Sequence, residues 1–199
     1  MHPDPHFRWT DRTDLRAFVA AHPFGLLFAP TPDGPAVAHV PVLWLDDERI
    51  GFHLSRGNRI AGHLDGARAL FVANGPHGYV SPDWYGMDDQ VPTWNYVSVE
   101  LEGMVTALPP ARLPALIDAL SDASEARLAP KPVWKRAKMD AEKFDRMMGA
   151  IIGYELRVDQ WRGTRKLGQN KPAQARAAAA DAMEAAGDAA IAALMRDRP

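Results

Sequence analysis

Residues 79–96 read YVSPDWYGMDDQVPTWNY. This stretch combines five aromatic side chains with two prolines, a glycine and several small polar residues. It predicts the end of one strand, a turn at Ser81-Pro82-Asp83, a polar loop and a new strand from Thr93, because proline presets φ and the Ser and Asp side chains hydrogen-bond nearby backbone. Exposed aromatic rings are unfavourable in water, so we expect them to cover the protein's own core, a partner subunit or a flat ligand. Residue types alone favour the first of these, a cap on the core.

Two further segments extend this pattern. They are His53-Leu-Ser-Arg-Gly-Asn58 and Lys166-Leu-Gly-Gln-Asn-Lys-Pro172. Together with Ser81–Tyr85 and Val91–Tyr96, and in the same order across most of the chain, they resemble the motifs of the PaiB family of FMN-binding negative transcriptional regulators. The resemblance implies a split β-barrel, related to flavin reductases and pyridoxamine-phosphate oxidases, that binds FMN as a homodimer.

The predicted fold class is α+β, an antiparallel split β-barrel with peripheral helices and an alanine-rich C-terminal helical tail. We expect residues 1–172 to form the FMN-binding domain and residues 173–199 the tail. Turns joining short strands, without regular intervening helices, favour an antiparallel barrel over a doubly wound sheet. The predicted strands cover residues 25–29, 36–45, 49–54, 67–73, 78–80, 93–107 and 154–158, after an extended arm over residues 1–10 that pairs with a sheet edge or lies on another subunit.

Helices are predicted from capping residues and from apolar positions that recur every three to four residues. They cover residues 13–21 with Thr13 as cap, 59–64 with Asn58 as cap, 113–120, and an apolar stripe of Phe144, Met147, Met148 and Ile151 capped by Asp140. The tail holds 13 alanines between Ala173 and Ala193, which favours helix strongly. Gly187-Asp188 is expected to divide that helix in two.

Composition bounds the class of protein. A chain of 199 residues forms a single domain with or without an appendage, and it buries roughly 70% of its unfolded surface without needing a disulfide or a structural metal. The sequence has no cysteine, which excludes a disulfide framework, thiolate catalysis and Cys-ligated metal centres. The polar N-terminus and the lack of a long apolar run predict a cytoplasmic protein with no membrane segment.

Charge argues against broad attraction to DNA. The formal net charge is −2, whereas electrostatic binding to DNA relies on clustered Lys and Arg. DNA as a partner therefore depends on a local patch. The candidates are residues 134–138 (Trp-Lys-Arg-Ala-Lys) and a second cluster of Arg162, Arg165, Lys166 and Lys171, each of which also fits a solvated face or a phosphate-ligand patch.

A bound FMN needs partners for its phosphate. Ser55, Arg56 and Asn58 offer a hydroxyl, a cation and backbone N–H groups at the end of a strand, and Arg59 follows them. The predicted helix start would add its partial positive charge. His53 belongs to the same motif, although a lone strand histidine is more often a core or interface residue.

The flavin ring needs a flat wall and in-plane hydrogen bonds. Trp94 is the candidate wall, and the resemblance implies a cation near the flavin N1 and O2 atoms, Lys166. The in-plane candidates are Thr93, Asn95, Gln169 and Asn170. His39 and Pro41 correspond to a family N-H-x-P pattern in which Ala38 replaces the asparagine, and Gly168 replaces the serine that is usual in the C-terminal motif.

Other chemistries find little support. The seven histidines lack metal-ligand spacing, so no metal is predicted, and no residue stands out as catalytic. The first hypothesis is an FMN-binding regulator, with the flavin as ligand or sensor in a homodimer. The alternative is an FMN-dependent oxidoreductase that passes electrons between a nicotinamide cofactor and a small acceptor. A third hypothesis is a haem-binding relative on the same barrel, with an axial histidine.

Overall fold

The computed structural model describes residues 2–197 and contains one eight-stranded sheet. Its strands are β1 Arg8–Trp9, β2 Phe24–Thr31, β3 Gly34–Pro41, β4 Leu43–Trp44, β5 Arg49–Ser55, β6 Arg68–Val80, β7 Thr93–Ala107 and β8 Ile151–Lys166. The strand order is β3-β2-β6-β7-β8-β5-β4, and β1 pairs with β8 outside that path. The pairs β1–β8, β2–β3, β2–β6, β4–β5 and β5–β8 are antiparallel. The predicted antiparallel architecture is confirmed.

Five α-helices accompany the sheet. They are α1 Arg12–Ala21, α2 Leu113–Glu125, α3 Ala141–Gly149, α4 Ala173–Ala185 and α5 Ala189–Arg196. Contacts divide the described chain into two compact units: a first unit of residues 2–18, 74–99 and 162–197, and a second unit of residues 19–73 and 100–161. Strands β6, β7 and β8 contribute residues to both.

In the first unit, the N-terminal arm lies along the end of β8. Arg8 pairs with Thr164 and Trp9 with Gly163, so the prediction that the arm pairs with a sheet edge is confirmed; Met1 lies outside the described residues. A Cβ on Gly163 would lie 2.6 Å from the Trp9 carbonyl oxygen and 2.5 Å from a methyl of Leu15. Only glycine therefore lets the arm and α1 approach this closely.

The alanine-rich tail also packs within the first unit. Gly187 has φ +101°, and the Asp188 N–H donates to the Met183 carbonyl at 2.9 Å, which ends α4. The predicted break at Gly187-Asp188 is confirmed. Met183 and Ile191 are buried and approach Gly78 of β6, so the tail docks on its own chain. Residues 198–199 of the predicted tail lie outside the described part.

In the second unit, the β2–β3 hairpin turns at Pro32-Asp33, and Gly34 takes φ +104°. Strand β5 pairs with β8, and the Phe52 and Tyr154 rings stack with their centroids 5.5 Å apart. The Tyr154 hydroxyl donates to the Ala61 carbonyl at 2.6 Å, so a buried phenol holds the segment that follows β5.

The structure differs from two predicted helix starts. Helix α1 begins at Arg12, and its cap is Asp11, not Thr13, because the Asp11 carboxylate accepts the Asp14 N–H at 2.9 Å. The helix predicted over residues 59–64 is a single 3₁₀ turn, Ala61–His63. The Asn58 side chain accepts the Ile60 N–H at 3.1 Å, which favours a local turn over helix.

Three strand and helix boundaries also differ. The strands predicted over 67–73 and 78–80 are one strand, β6, which pairs with β2 and β7 and runs through Gly75, where a Cβ would lie 2.6 Å from the Phe18 ring. The strand predicted over 36–45 is divided at Val42, whose N–H donates to the Pro23 carbonyl. The apolar stripe predicted for α3 holds at Phe144 and in part at Met148, which is half-buried. It is wrong at Met147, which is 51% exposed, and at Ile151, which begins β8.

Candidate functional site

The segment from His53 to Asn58 forms a compact turn at the end of β5, here named the 53–58 turn. The Asn58 N–H donates to the Ser55 carbonyl at 2.9 Å, and the Gly57 N–H donates to the Ser55 hydroxyl at 3.3 Å. The Arg56 N–H donates to the Ala150 carbonyl at 2.9 Å. Ser55 and Arg56 are exposed, so the turn presents a hydroxyl and a guanidinium to solvent.

Arg56 is anchored at one nitrogen and available at the others. Its Nε donates to the Gly149 carbonyl at 2.8 Å, beside the end of α3. Within residues 2–197 its two terminal nitrogens have no hydrogen-bond or ion-pair partner. A guanidinium held at Nε and open at its terminal nitrogens suits two-pronged contact with a phosphate.

His53 carries an unsatisfied buried atom. Its Nδ1 is buried and has no hydrogen-bond partner among the described residues. Burial also lowers the pKa of the imidazole below its ordinary value of 6.5, which favours the neutral ring. Buried polar atoms are almost always hydrogen-bonded, so this nitrogen indicates a partner from outside the chain, a ligand or an ordered water.

His39 and Pro41 lie on the outer face of the β2–β3 hairpin. His39 pairs with Leu26 and its ring stacks on Phe24, with centroids 6.4 Å apart. Phe24 is 63% exposed, and Phe28 and its direct partner Val37 are also exposed. This apolar face, named the hairpin face, is a place where a partner would cover hydrophobic surface.

A second set of polar groups gathers in the first unit. Lys166 Nζ donates to the Thr93 hydroxyl oxygen, and its ammonium lies 5.9 Å from the Phe7 ring centroid. Lys171 Nζ donates to the Gln90 carboxamide oxygen and lies 5.3 Å from the Tyr85 ring centroid. These six residues are named the lysine cluster.

The electrostatics of the lysine cluster follow from burial and like charge. Burial is the larger cause that lowers the pKa of Lys166 below its ordinary value, and the charge of Lys171 lowers it further. Burial also raises the pKa of Tyr85, which keeps that phenol neutral. The cluster is thus a partly dry, cationic region, which is suited to an anionic ligand.

An exposed aromatic wall follows the lysine cluster along β7. Trp94 is 55% exposed, and its ring centroid lies 6.1 Å from that of Tyr79 and 6.2 Å from that of His77. Val91 beside it is also exposed. Of the core, partner and ligand alternatives for the aromatic stretch, Tyr85 takes the first, while Trp94 remains open to a partner or a flat ligand.

The predicted in-plane partners differ in how accessible they are. Asn95 is 1% exposed, and its Nδ2 donates to the Met195 sulfur at 3.2 Å, while its buried Oδ1 has no partner in the described chain. Gln169 accepts the Leu167 N–H and donates to the Arg165 carbonyl, so its carboxamide closes its own loop. Asn170 is exposed.

The sequence-derived candidates therefore fall into two groups, each within one unit. The structure gathers His53, Ser55, Arg56 and Asn58 in the second unit, and Thr93, Trp94, Asn95, Lys166, Gln169 and Asn170 in the first. Sequence reasoning assigned no site role to Phe7, Tyr85 and Gln90. No sequence motif connects these three residues to the lysines. The pairing of β1 with β8 brings Phe7 to Lys166, and the loop after Tyr85 brings Gln90 to Lys171.

Other types of site find no support in the described residues. No group of three or more His, Cys, Asp or Glu side chains within 2–197 is arranged to hold a metal ion. None of the helices in that range is long and apolar enough to cross a membrane.

The sequence matches a family model described as "Putative FMN-binding domain" over residues 1–160. The chain is also 25% identical over 175 residues to "Protease synthase and sporulation protein PAI 2" of Bacillus subtilis (strain 168), covering 86% of this chain and 83% of that protein. The Lys166–Pro172 motif lies beyond the residues that the family model matches.

Solved structures share the fold. The FAD and heme binding protein from Mycobacterium smegmatis superposes with a TM-score of 0.61 at 18% identity, covering 81% of this chain and 74% of that one. The flavocytochrome Anf3 from Azotobacter vinelandii superposes with a TM-score of 0.62 at 16% identity, covering 84% of this chain and 73% of that one. At these identities the likeness shows a common fold.

Proposed function

Because this chain belongs to the PaiB-like family of FMN-binding domains, whose cofactor is FMN, we propose that it is a homodimeric, cytoplasmic, FMN-binding negative regulator of transcription. The flavin serves as its ligand or sensor. The observation that carries the proposal is the 53–58 turn, where an anchored arginine, an exposed hydroxyl and an orphaned histidine nitrogen occur together.

We assign the FMN phosphate to the 53–58 turn. Arg56 supplies the charge, Ser55 a hydroxyl and Asn58 a side-chain amide. His53 supplies a neutral ring nitrogen that still needs a partner. The helix dipole that the sequence suggested contributes nothing, because residues 61–63 form only a 3₁₀ turn.

The first unit carries its own candidates for contact with a flavin ring. Trp94 is the flat wall, Thr93 and Asn170 are the accessible polar partners, and Lys166 is the cation. Gln169 holds the 165–169 loop in place. Asn95 donates to Met195 of α5, and its buried Oδ1, which has no partner among the described residues, is the remaining in-plane acceptor. His39 and Pro41 are the candidates on the hairpin face of the second unit. When bound, FMN supplies redox chemistry or a ligand whose oxidation state can be sensed.

Binding is tested by titrating FMN and riboflavin, which lacks the phosphate, into the purified protein and following flavin fluorescence. Arg56→Gln should weaken FMN binding and leave riboflavin binding unchanged. The matched control is Arg146→Gln, since Arg146 is an exposed arginine of the same unit whose Glu142 partner lies 3.9 Å away. Equal loss for both ligands would reject the assignment of the phosphate to this turn.

The homodimer is supported by the hairpin face, whose exposed aromatic and aliphatic side chains a second copy would cover. Light scattering should report a dimer. Phe28→Asp should shift the protein to monomer, whereas Leu128→Asp, a change at another exposed apolar residue, should not. A wild-type monomer under FMN saturation would contradict the dimer.

Direct DNA binding has weaker support. In the 134–138 patch, Lys135 lies 2.8 Å from Asp122 and Arg136 lies 3.2 Å from Asp118, so these cations already have carboxylate partners. Binding to promoter DNA should be measured at several salt concentrations, where a direct contact gives affinity that falls as salt rises. Absence of salt-dependent binding to any promoter region would contradict direct regulation.

The second candidate function is an FMN-dependent oxidoreductase acting between a nicotinamide cofactor and a small acceptor. The fold shared with a flavocytochrome favours it. Oxidation of NADH or NADPH in the presence of FMN tests it, and background rates would reject it. The absorbance spectrum of freshly purified protein distinguishes flavin from haem, the third hypothesis.

A further inference from the structure

The two amino groups of the lysine cluster lack a carboxylate partner. Lys166 and Lys171 donate to the neutral oxygens of Thr93 and Gln90, and within residues 2–197 neither forms an ion pair. Lysines elsewhere behave differently: Lys131 pairs with Glu125, and Lys135 pairs with Asp122. The cluster is therefore a concentration of positive charge that the chain does not neutralise.

The surroundings of both lysines make this charge unfavourable on its own. Phe7 and Tyr85 are buried, and each presents its ring to one ammonium group. The attraction of a cation to an aromatic face offsets only part of the hydration that a buried ammonium loses. An anion from outside the chain would supply the missing counter-charge to both groups.

The residues next to the cluster indicate a flat ligand. Trp94 follows Thr93 directly on β7 and is more than half exposed, whereas Tyr85 and Asn95 are buried. Gln90 also donates from its Nε2 to the Asp88 carbonyl at 2.8 Å, so the loop that ends at Trp94 is tied to Lys171. Side-chain hydrogen bonds therefore join the segment of the two lysines to the segment that carries the exposed indole.

We propose that Lys171, the second lysine of the Lys166–Pro172 motif, joins Lys166 in a paired-cation site for the electron-rich N1–O2 edge of FMN. The proposal rests on the proposed FMN binding. Uptake of two electrons and one proton by oxidised FMN from an added reductant leaves one extra negative charge on the ring. Two neighbouring cations stabilise that charged form more than the neutral oxidised ring, and therefore raise the reduction potential.

The test is a reductive titration of the FMN-loaded protein against a redox dye. In Lys171→Gln the ratio of reduced-form to oxidised-form affinity should fall by about tenfold, which lowers the two-electron potential by about 30 mV. Lys171→Arg should retain most of the wild-type potential, because it keeps the charge. Lys143→Gln, which removes an exposed lysine of α3, is the matched control and should leave the potential unchanged.

A second measurement does not need the flavin. In the FMN-free protein with isotopically methylated lysines, the NMR-detected pKa of Lys166 should rise when Lys171 is replaced by Gln, because a neighbouring positive charge is removed. FMN binding with an unchanged potential in Lys171→Gln would overturn this inference and leave the proposed function standing. Failure of the wild-type protein to bind FMN would overturn both, even if the two lysines prove to be coupled.

Discussion

The 53–58 turn and the lysine cluster are built in opposite ways. The turn is six consecutive residues whose local hydrogen bonds close over two or three positions. Its first three residues end β5 and pair with β8, and Arg56 is tied to the end of α3. The cluster brings together Phe7, residues 85–93, Lys166 at the end of β8 and Lys171 beyond it. The turn therefore depends on its own backbone and on residues 149–153, whereas the cluster depends on three segments that are far apart in the sequence.

The largest predicted effect comes from displacing the N-terminal arm, which contacts the lysine cluster and not the 53–58 turn. Gly163→Val places side-chain atoms where Leu15 and the Trp9 carbonyl already lie within 2.6 Å of a Cβ, so it should lower the free energy of unfolding by about 3 kcal/mol. Displacement of the arm removes Phe7 from Lys166. Urea unfolding measures the loss.

Ligand binding then shows whether the effect stays local. The Gly163→Val protein, kept folded at low temperature, should lose riboflavin affinity, which depends on the ring partners. The added affinity that the phosphate gives to FMN should persist. If FMN and riboflavin bind the variant with equal affinity, the turn is not independent of the arm and the comparison fails.

The next effect is confined to the turn. Arg56→Gln removes a charge-assisted contact worth about 2 kcal/mol, so FMN affinity should fall about 30-fold while the unfolding free energy changes little. Fluorescence titration measures the affinity and urea unfolding the stability. A stability loss as large as the affinity loss would show that Arg56 mainly supports α3 through Gly149.

A smaller effect concerns pH and His53. Its pKa is lower in the folded protein than its ordinary value of 6.5, so the unfolded chain binds the proton first as pH falls. The free energy of unfolding is therefore unaffected by His53 above about pH 6.5. Below that pH it decreases, by at most about 1.4 kcal/mol per pH unit. Urea midpoints between pH 5 and 7 should flatten in His53→Gln; an identical slope in both proteins would contradict this.

The smallest predicted effect is on stability alone, without a change in the 53–58 turn or the lysine cluster. Asp11→Ala removes the cap of α1 and should lower the free energy of unfolding by about 1 kcal/mol. FMN affinity and the potential of the bound flavin should stay at wild-type values. A change in either would mean that α1 sets the position of the arm, and that the lysine cluster extends further than the contacts of Phe7.

The sequence predicts features that depend on local signals and misses those that depend on distant contacts. The alternating pattern of residues 93–107 predicts β7 with its bounds, and Gly187-Asp188 predicts the break in the tail, because both signals are local. The continuous strand β6 and the Asp11 cap were missed. The length of β6 depends on its pairing with β2 and β7, and the Asp11 carboxylate takes the role predicted for Thr13.

For the candidate site, the motifs predict which residues belong together in sequence but not what each side chain contacts. Both the oxygen and the nitrogen of the Gln169 carboxamide form hydrogen bonds within its own loop, and Asn95 is buried against Met195. Neither outcome is visible in a motif, because each depends on where a distant backbone or helix lies. The role of Lys171 was hidden for the same reason, since Gln90 and Tyr85 come from another segment.

The central claim is that this chain holds FMN through its phosphate as well as its ring. Parallel titrations of wild-type protein with FMN and with riboflavin, at fixed pH and salt, test it most directly. We predict saturation at one FMN per chain and an affinity for FMN at least about tenfold higher than for riboflavin. Equal affinities for the two flavins, or no saturable binding of either, would contradict the claim.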